Sequence, residues 1–250
     1  MTGYLMIHGG AHVSSCWDPV IGPLRELGHE VHAIDLHGRG ATADLAASTT
    51  LQDYIACASA AVDTFAEPPV VVAHSIGGVT ATGLAEQRPE ALRGIVYVSA
   101  VVPVNGVAGL PTLQEVGPES VLMREGALTF ADDLMTIIVP PETAQSAFYN
   151  RCGDEVAKAA IARLTPQPVQ PVMTPAVLGD NFASVSKVYI GARYDNAVPA
   201  HFQRTLAQRC GAKFIPIASD HSPFYSATDQ LVALLSELDR KGRHTPGFVV

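Results

Sequence analysis

Apolar residues along this chain fall mostly into short unbroken runs. The runs are YLMI (4–7), EVHAI (30–34), PVVVA (69–73), GIVYVSA (94–100), KVYIGA (187–192) and AKFIPI (212–217). Runs of this length, rich in Val, Ile and Tyr, predict strands buried on both faces, as in a parallel sheet with helices over each side. Longer amphipathic stretches lie between them: CWDPVIGPLRELG (16–28), LQDYIACASAAVDTFA (51–66), GGVTATGLAEQRP (77–89), HFQRTLAQRCG (201–211) and DQLVALLSELDRK (229–241). Gly28, Pro89 and Gly211 stand where helices stop. Strand and helix in alternation predict right-handed crossovers, and so an α/β fold with a doubly wound, mostly parallel sheet of about six strands.

The alternation breaks once. Residues 103–185 carry helical patches and many prolines, a stretch too long for an ordinary loop. It predicts a helical lid inserted before the last two strands, lying over the carboxyl edge of the sheet, where open α/β sheets bind ligands. The expected organisation is a core of 1–102 and 186–241, a lid of 103–185, and a loose tail over 242–250.

Bulk composition narrows the function classes. With 48% hydrophobic residues over 250 positions, the chain can bury one substantial core. It carries 16 Lys+Arg against 24 Asp+Glu, a formal net charge of −8. Such a surface is repelled by phosphate backbones and anionic lipid, which argues against nucleic-acid and membrane partners. The four cysteines (Cys16, Cys57, Cys152 and Cys210) form no CxxC pair, so neither a zinc site nor a disulfide framework is expected. The start, MTGYLMIHGG, has no basic region ahead of its first strand and does not read as a secretory signal. The run GIVYVSAVVPVNGVAGL is too interrupted to span a bilayer. A reducing cytoplasmic location is the expectation.

Chemistry enters at VVVAHSIGGVTA (70–81), where a strand runs into Ala73-His74-Ser75-Ile76-Gly77 and then a helix. A serine lifted clear of a sheet on so tight a turn needs small residues two before and two after it. Ala73 and Gly77 meet that need, and Gly78 relieves the next contact. A serine becomes a nucleophile only with a base, and the base needs an orienting acid. On this topology they follow in the order acid, then histidine, after later strands. Asp195 follows KVYIGA and His221 follows AKFIPI, in that order. Asp220, adjacent to His221, is poorly placed to hold the far ring nitrogen and reads as structural; Asp180 lies in the insertion. His29 and His32 flank a strand and read as surface residues. His8 and His12 lie in a glycine loop without a metal-binding HExxH pattern. The expected oxyanion donors are the backbone N–H groups of Ile76 and of Gly10, in the loop after the first strand.

With these residues in place, the chain resembles the plant methylesterase and hydroxynitrile-lyase group of the α/β-hydrolase superfamily. The resemblance is carried by HGGAHVSSCWDPVIGPLRELGHEVHAIDL, AHSIGG, KVYIGARYDNAVPAHFQR and DHSPF, and it extends over almost the whole chain, more weakly in the lid. It implies the α/β-hydrolase fold without the N-terminal strands of its larger version. It also implies Ser75 as nucleophile, His221 as general base and then acid, Asp195 as orienting carboxylate, and Gly10 and Ile76 as the oxyanion hole. The group's S-selective lyases place a lysine after the catalytic histidine and a threonine in the first loop; its R-selective lyases place an asparagine there. This chain has Ser222 and Gly9 at those positions; the group's esterases carry glycine in that loop, and without the lysine there is no cation to stabilise departing cyanide. Gly9, Ser222 and the lid residues Met123, Phe130, Leu134 and Phe148 are expected to line a small apolar acyl pocket.

The resulting expectation is a serine carboxylesterase that needs no metal or other cofactor and hydrolyses small, largely apolar esters through an acyl-enzyme. Its partner is the small-molecule ester, and a homodimer is compatible with the sequence. Two alternatives stay open at this point: a lyase-type, C–C bond-cleaving reaction using the triad as a base, and a small-molecule receptor of the same fold with weak turnover.

Overall fold

Six strands form one parallel sheet because their side chains are apolar on both faces. In the computed structural model, which describes residues 2–132 and 134–242, they are β1 (Gly3–Ile7), β2 (Glu30–Ile34), β3 (Val70–His74), β4 (Gly94–Val98), β8 (Lys187–Ala192) and β9 (Lys213–Ile217). The strand order is β2-β1-β3-β4-β8-β9, every pairing parallel. Alternate residues of each strand feed two separate cores. Leu5, Val71, Ile95 and Tyr189 face one layer, and Met6, Val72, Val96 and Ile190 the other. That double burial is why the runs read as continuous rather than alternating.

Helices α1 (Asp18–Glu26) and α11 (Thr228–Gly242) cover one face. On α11, Leu231, Leu235 and Leu238 recur at helical spacing and are buried against the sheet. Burying each such side chain contributes about 1.5–3 kcal/mol. Helices α2 (Leu51–Val62), α3 (Gly77–Gln87) and α9 (Ala200–Arg209) cover the other face. Helix α2 starts in a capping box: Thr50 Oγ1 accepts from the Asp53 N–H (3.1 Å), and the Asp53 carboxylate accepts from the Thr50 N–H (2.8 Å). None of the helices among the described residues is long and apolar enough to cross a membrane. The stretch expected as a loose tail lies, from residue 243 on, outside the described residues.

The insertion holds α4 (Gly109–Gln114), β5 (Thr129–Phe130), β6 (Thr136–Ile138), α5 (Pro141–Phe148), α6 (Asp154–Ile161), β7 (Gln167–Pro168), α7 (Val169–Met173) and α8 (Asp180–Ser184). It is not wholly helical: β5, β6 and β7 make a small antiparallel sheet. Strands of two or three residues are too short to leave a periodic signal. Part of the insertion has its own apolar cluster, centred on Ala144, Phe148, Tyr149 and Ala157. Helix α8 lies back against α3, where the Glu86 carboxylate accepts from the Gly179 and Phe182 N–H groups (2.8 and 2.9 Å).

The topology places the site. The chain runs outward from β1 to β2, then returns to add β3 on the other side of β1. The loops leaving β1 and β3 therefore diverge, and a crevice opens between them at the carboxyl edge.

Candidate active site

The turn after β3 puts Ser75 at φ +50°, a left-handed conformation that a residue with a Cβ adopts only under constraint. Its neighbours supply the constraint. The Ser75 N–H donates to the Val98 carbonyl (3.1 Å), and the Ser75 carbonyl accepts from Gly78 and Val101 (3.0 and 2.9 Å). A Cβ at Gly77 would meet the His8 carbonyl oxygen, and one at Gly78 the Val101 carbonyl oxygen, both within 2.5 Å. The small residues of AHSIGG thus let helix α3 start directly beneath two other backbones.

His221 leaves the end of β9 and Asp195 the end of β8. His221 Nδ1 lies 2.8 Å from Asp195 Oδ2, and His221 Nε2 lies 2.9 Å from Ser75 Oγ. The proton sits on the nitrogen facing the carboxylate, which leaves Nε2 to accept from the serine hydroxyl. Asp195 is itself fixed. Its Oδ1 accepts from the N–H groups of Ala197 and Val198 (2.8 and 2.7 Å), and its Oδ2 also accepts from Gln203 Nε2 (3.0 Å). Asp220 serves the turn instead, accepting from the N–H of Ser222 (3.0 Å), from Ser226 Oγ (2.6 Å) and from the N–H of Arg151 in the insertion (2.9 Å).

Three other histidines surround this chain of hydrogen bonds, all buried. His8 Nε2 accepts from the Leu36 N–H (3.2 Å) while Nδ1–H donates to the Gly9 carbonyl (2.9 Å). Burial, helped by the Arg39 guanidinium, lowers its pKa to about 4. His12 Nδ1–H donates to the Gly10 carbonyl (2.8 Å) and Nε2 accepts from the Tyr149 hydroxyl (2.9 Å). Burial lowers its pKa to about 3. His74 donates from Nε2 to the His221 carbonyl (2.8 Å), and burial, with His221 close by, pushes its pKa well below the usual histidine value. All three are neutral at pH 7. Both ring nitrogens of His8 and of His12 are engaged within the fold, and neither is left for a metal. His29, read from the sequence as a surface residue, is instead buried edge-on against Tyr4 (ring centroids 5.2 Å apart). The polar residues beside it gave no sign that helix α1 closes over that end of β2.

The crevice beside Ser75 is walled by Gly10, Ala11 and Ile76 from the core, and by Met123, Ile137 and Phe148 among others from the insertion. Among the described residues, none that lines it carries a charge, and Ser75 and Gln167 are the polar ones. Phe148 stacks on the His221 ring (5.3 Å, 27°). Of the six residues expected to line the pocket, Met123 and Phe148 do so. Phe130 and Leu134 do not: they stand 51% and 67% exposed on the β5–β6 hairpin, where Leu134 takes φ +59° in the turn. A run of apolar residues reads as a wall, but hairpin geometry turns these two outward. Gly9 and Ser222 are also not part of the wall. Gly9 underlies the turn, where a Cβ would come within 2.6 Å of His74 Nδ1 and 2.7 Å of Ser75 Cβ. Ser222 is fully buried at the start of α10 (Pro223–Ser226). Gln167 and Arg39, which hold the Gly9–His12 loop, were not singled out from the sequence. Nothing in the proline-rich TPQPVQP or in HGRGAT marks either as a partner of that loop.

A model of the Alpha/beta hydrolase family matches residues 4–234. Methylesterase 7 of Arabidopsis thaliana is 28% identical over 95% of this chain and 96% of its own. Esterase PIR7B of Oryza sativa subsp. japonica is 28% identical over 95% and 96%. The crystal structure of polyneuridine aldehyde esterase superposes with a TM-score of 0.84 at 21% identity, covering 96% of this chain and 99% of that one. At that identity the structural likeness speaks for the fold.

Proposed function

Because the chain belongs to the alpha/beta hydrolase family, we propose that it is a serine carboxylesterase acting on small, uncharged, largely apolar esters through an acyl-enzyme. One observation carries the reading. Asp195, His221 and Ser75 are linked in series at 2.8 and 2.9 Å, and the serine opens onto an uncharged crevice.

In this reading Ser75 Oγ attacks the ester carbonyl carbon while its proton passes to His221 Nε2. The carbonyl π pair moves onto oxygen, where the N–H groups of Gly10 and Ile76 receive it. Asp195 stabilises the imidazolium that forms. Collapse of the tetrahedral adduct breaks the bond to the leaving oxygen, and His221 returns the proton to it as the alcohol departs. Water repeats the sequence, with His221 again as base, and releases the acid and free Ser75. An apolar acyl group suits the lid wall, because a carboxylate or ammonium there would lose its hydration with no counter-charge in the lining. The lyase alternative loses ground on the same feature, since among the described residues no cation lines the crevice to receive a departing anion.

Steady-state hydrolysis of a p-nitrophenyl ester series from acetate to dodecanoate tests the proposal. Multiple turnover with a clear chain-length optimum supports it. A folded protein that turns over no member of the series contradicts it.

A further inference from the structure

Two consecutive peptide planes in the loop after β1 are held by histidines. The Gly9 carbonyl accepts from His8 Nδ1–H at 2.9 Å. In a trans peptide the N–H points away from the carbonyl, so the Gly10 N–H faces away from the buried His8 ring. Gly10 itself lines the crevice, where a Cβ on it would lie 3.2 Å from Ile76 Cγ2. The next carbonyl, that of Gly10, accepts from His12 Nδ1–H at 2.8 Å. The N–H of that second plane, on Ala11, therefore points the other way, and it is met there by Gln167 Oε1 at 3.4 Å.

Gln167 comes from the lid. The same lid segment takes the other side of Ala11, whose carbonyl accepts from the Thr165 N–H at 2.8 Å. Ala11 is buried and holds φ +59°. For a residue with a Cβ that conformation costs about 1–3 kcal/mol and persists only when its surroundings impose it. The buried Arg39 guanidinium ties the two segments together: Nη2 donates to the His12 carbonyl (2.7 Å), and Nη1 to the Pro166 carbonyl (2.7 Å) and to Gln167 Oε1 (3.3 Å). Gln167 Nε2 is spent on the Tyr54 hydroxyl (3.2 Å) and the Pro168 carbonyl (2.9 Å), so the amide cannot flip without breaking both.

We propose that Gln167 is a positioning residue for the oxyanion site, through which the lid sets the posture of the Gly10–Ala11 peptide and hence the aim of the Gly10 N–H at the reacting carbonyl. On this view the segment 165–167 is a fixed part of the hydrolytic machinery and not a moving cover. The proposal rests on the esterase reading above. Removing the acceptor leaves the buried Ala11 N–H unpaired. Ala11 can then relax toward negative φ, and with its carbonyl still held by Thr165 the change is taken up through the Gly10–Ala11 peptide and the Gly10 Cα, which shifts the Gly10 N–H from its line to Ser75.

Two proteins test this: wild type and Gln167→Met, which keeps the volume without the acceptor. In the Met variant kcat is expected to fall about 10- to 100-fold with KM within about threefold, as for a misaimed catalytic group. Affinity for a straight-chain alkylboronic acid, whose tetrahedral Ser75 adduct places an oxygen in the oxyanion site, falls by the same factor. Affinity for the alkanol of equal length, which only fills the wall, stays unchanged. Wild-type kcat and boronate affinity in a folded Met variant would overturn the proposal. So would an equal loss of alkanol affinity. If wild type turns over no ester, it is the esterase reading that fails. The latch is then judged by hydrogen exchange of the Ala11 amide: faster in Gln167→Met supports it, and equal rates refute it.

Discussion

Gly9→Ala adds one methyl group at a crowded point of the site. The new Cβ would sit 2.6 Å from His74 Nδ1, 2.7 Å from Ser75 Cβ and 3.1 Å from His74 Cε1. Carbon atoms pack at about 3.5–4.0 Å, so about 1 Å of separation must be found. Neither partner can yield alone. The His74 ring is held through Nε2 to the His221 carbonyl and packed edge-on against Phe224 (4.9 Å). Ser75 is pinned by backbone hydrogen bonds to Val98, Gly78 and Val101. Either the loop retreats, taking the Gly10 N–H with it, or the turn moves and stretches the 2.9 Å contact between Ser75 and His221. A 1 Å misplacement of reacting groups costs about 100-fold in rate, and overpacking of this kind costs about 1–3 kcal/mol of stability. The assay is kcat on the best p-nitrophenyl ester, with urea unfolding in parallel. Gly22→Ala is the control: it lies within α1, nothing stands within 4 Å of its added Cβ, and it should be neutral or slightly stabilising with full activity. A folded Gly9→Ala protein with kcat within about twofold of wild type, far from the 100-fold loss reasoned above, would refute the reasoning.

Asp195→Asn removes the carboxylate that holds the His221 tautomer, and kcat should fall about 10³-fold or more with little change in KM; a loss under about tenfold would contradict its orienting role. Met123→Ala opens the lid wall and should move the acyl-chain optimum to longer esters, while Leu134→Ala, on the exposed hairpin, should leave the optimum in place; one methylene of fit is worth about 10-fold or more in kcat/KM. Stability should also fall in acid. His8 and His12 are neutral when folded, with pKa values of about 4 and about 3, but protonate near pH 6.5 once unfolded. The unfolded state then binds the extra protons, so each histidine withdraws about 1.4 kcal/mol per pH unit, from pH 6.5 down to its own folded pKa. Urea unfolding at pH 7.5, 6 and 5 measures this, and a stability flat between pH 7 and 5 would contradict it.

The fold was legible because the feature that makes each strand, burial on both faces, is written as unbroken runs; 30–34 and 187–192 agree residue for residue with β2 and β8, and the other four agree to within one or two residues. Ser75, Asp195 and His221 were legible because each stands just after a strand, where topology alone brings loop ends together. The pocket wall was not. Met123 and Phe130 look alike in sequence, but Met123 ends the short turn Val121–Met123 beside the crevice, whereas Phe130 stands on the exposed β5–β6 hairpin. Gln167 and Arg39 are not legible because the groups that tie them to the loop after β1 are backbone ones, the Ala11 N–H for Gln167 and the His12 carbonyl for Arg39. Backbone partners leave no mark of residue type in the sequence.

The central claim is that Ser75 carries the acyl group. Rapid quenching of wild-type protein with a p-nitrophenyl ester of optimal chain length, followed by intact mass and peptide mapping, reads it directly. The account predicts a transient mass increase equal to the acyl group, located on Ser75 and absent from Ser75→Ala, which should also lose turnover. Turnover that survives in Ser75→Ala, or an adduct on another residue, would contradict it.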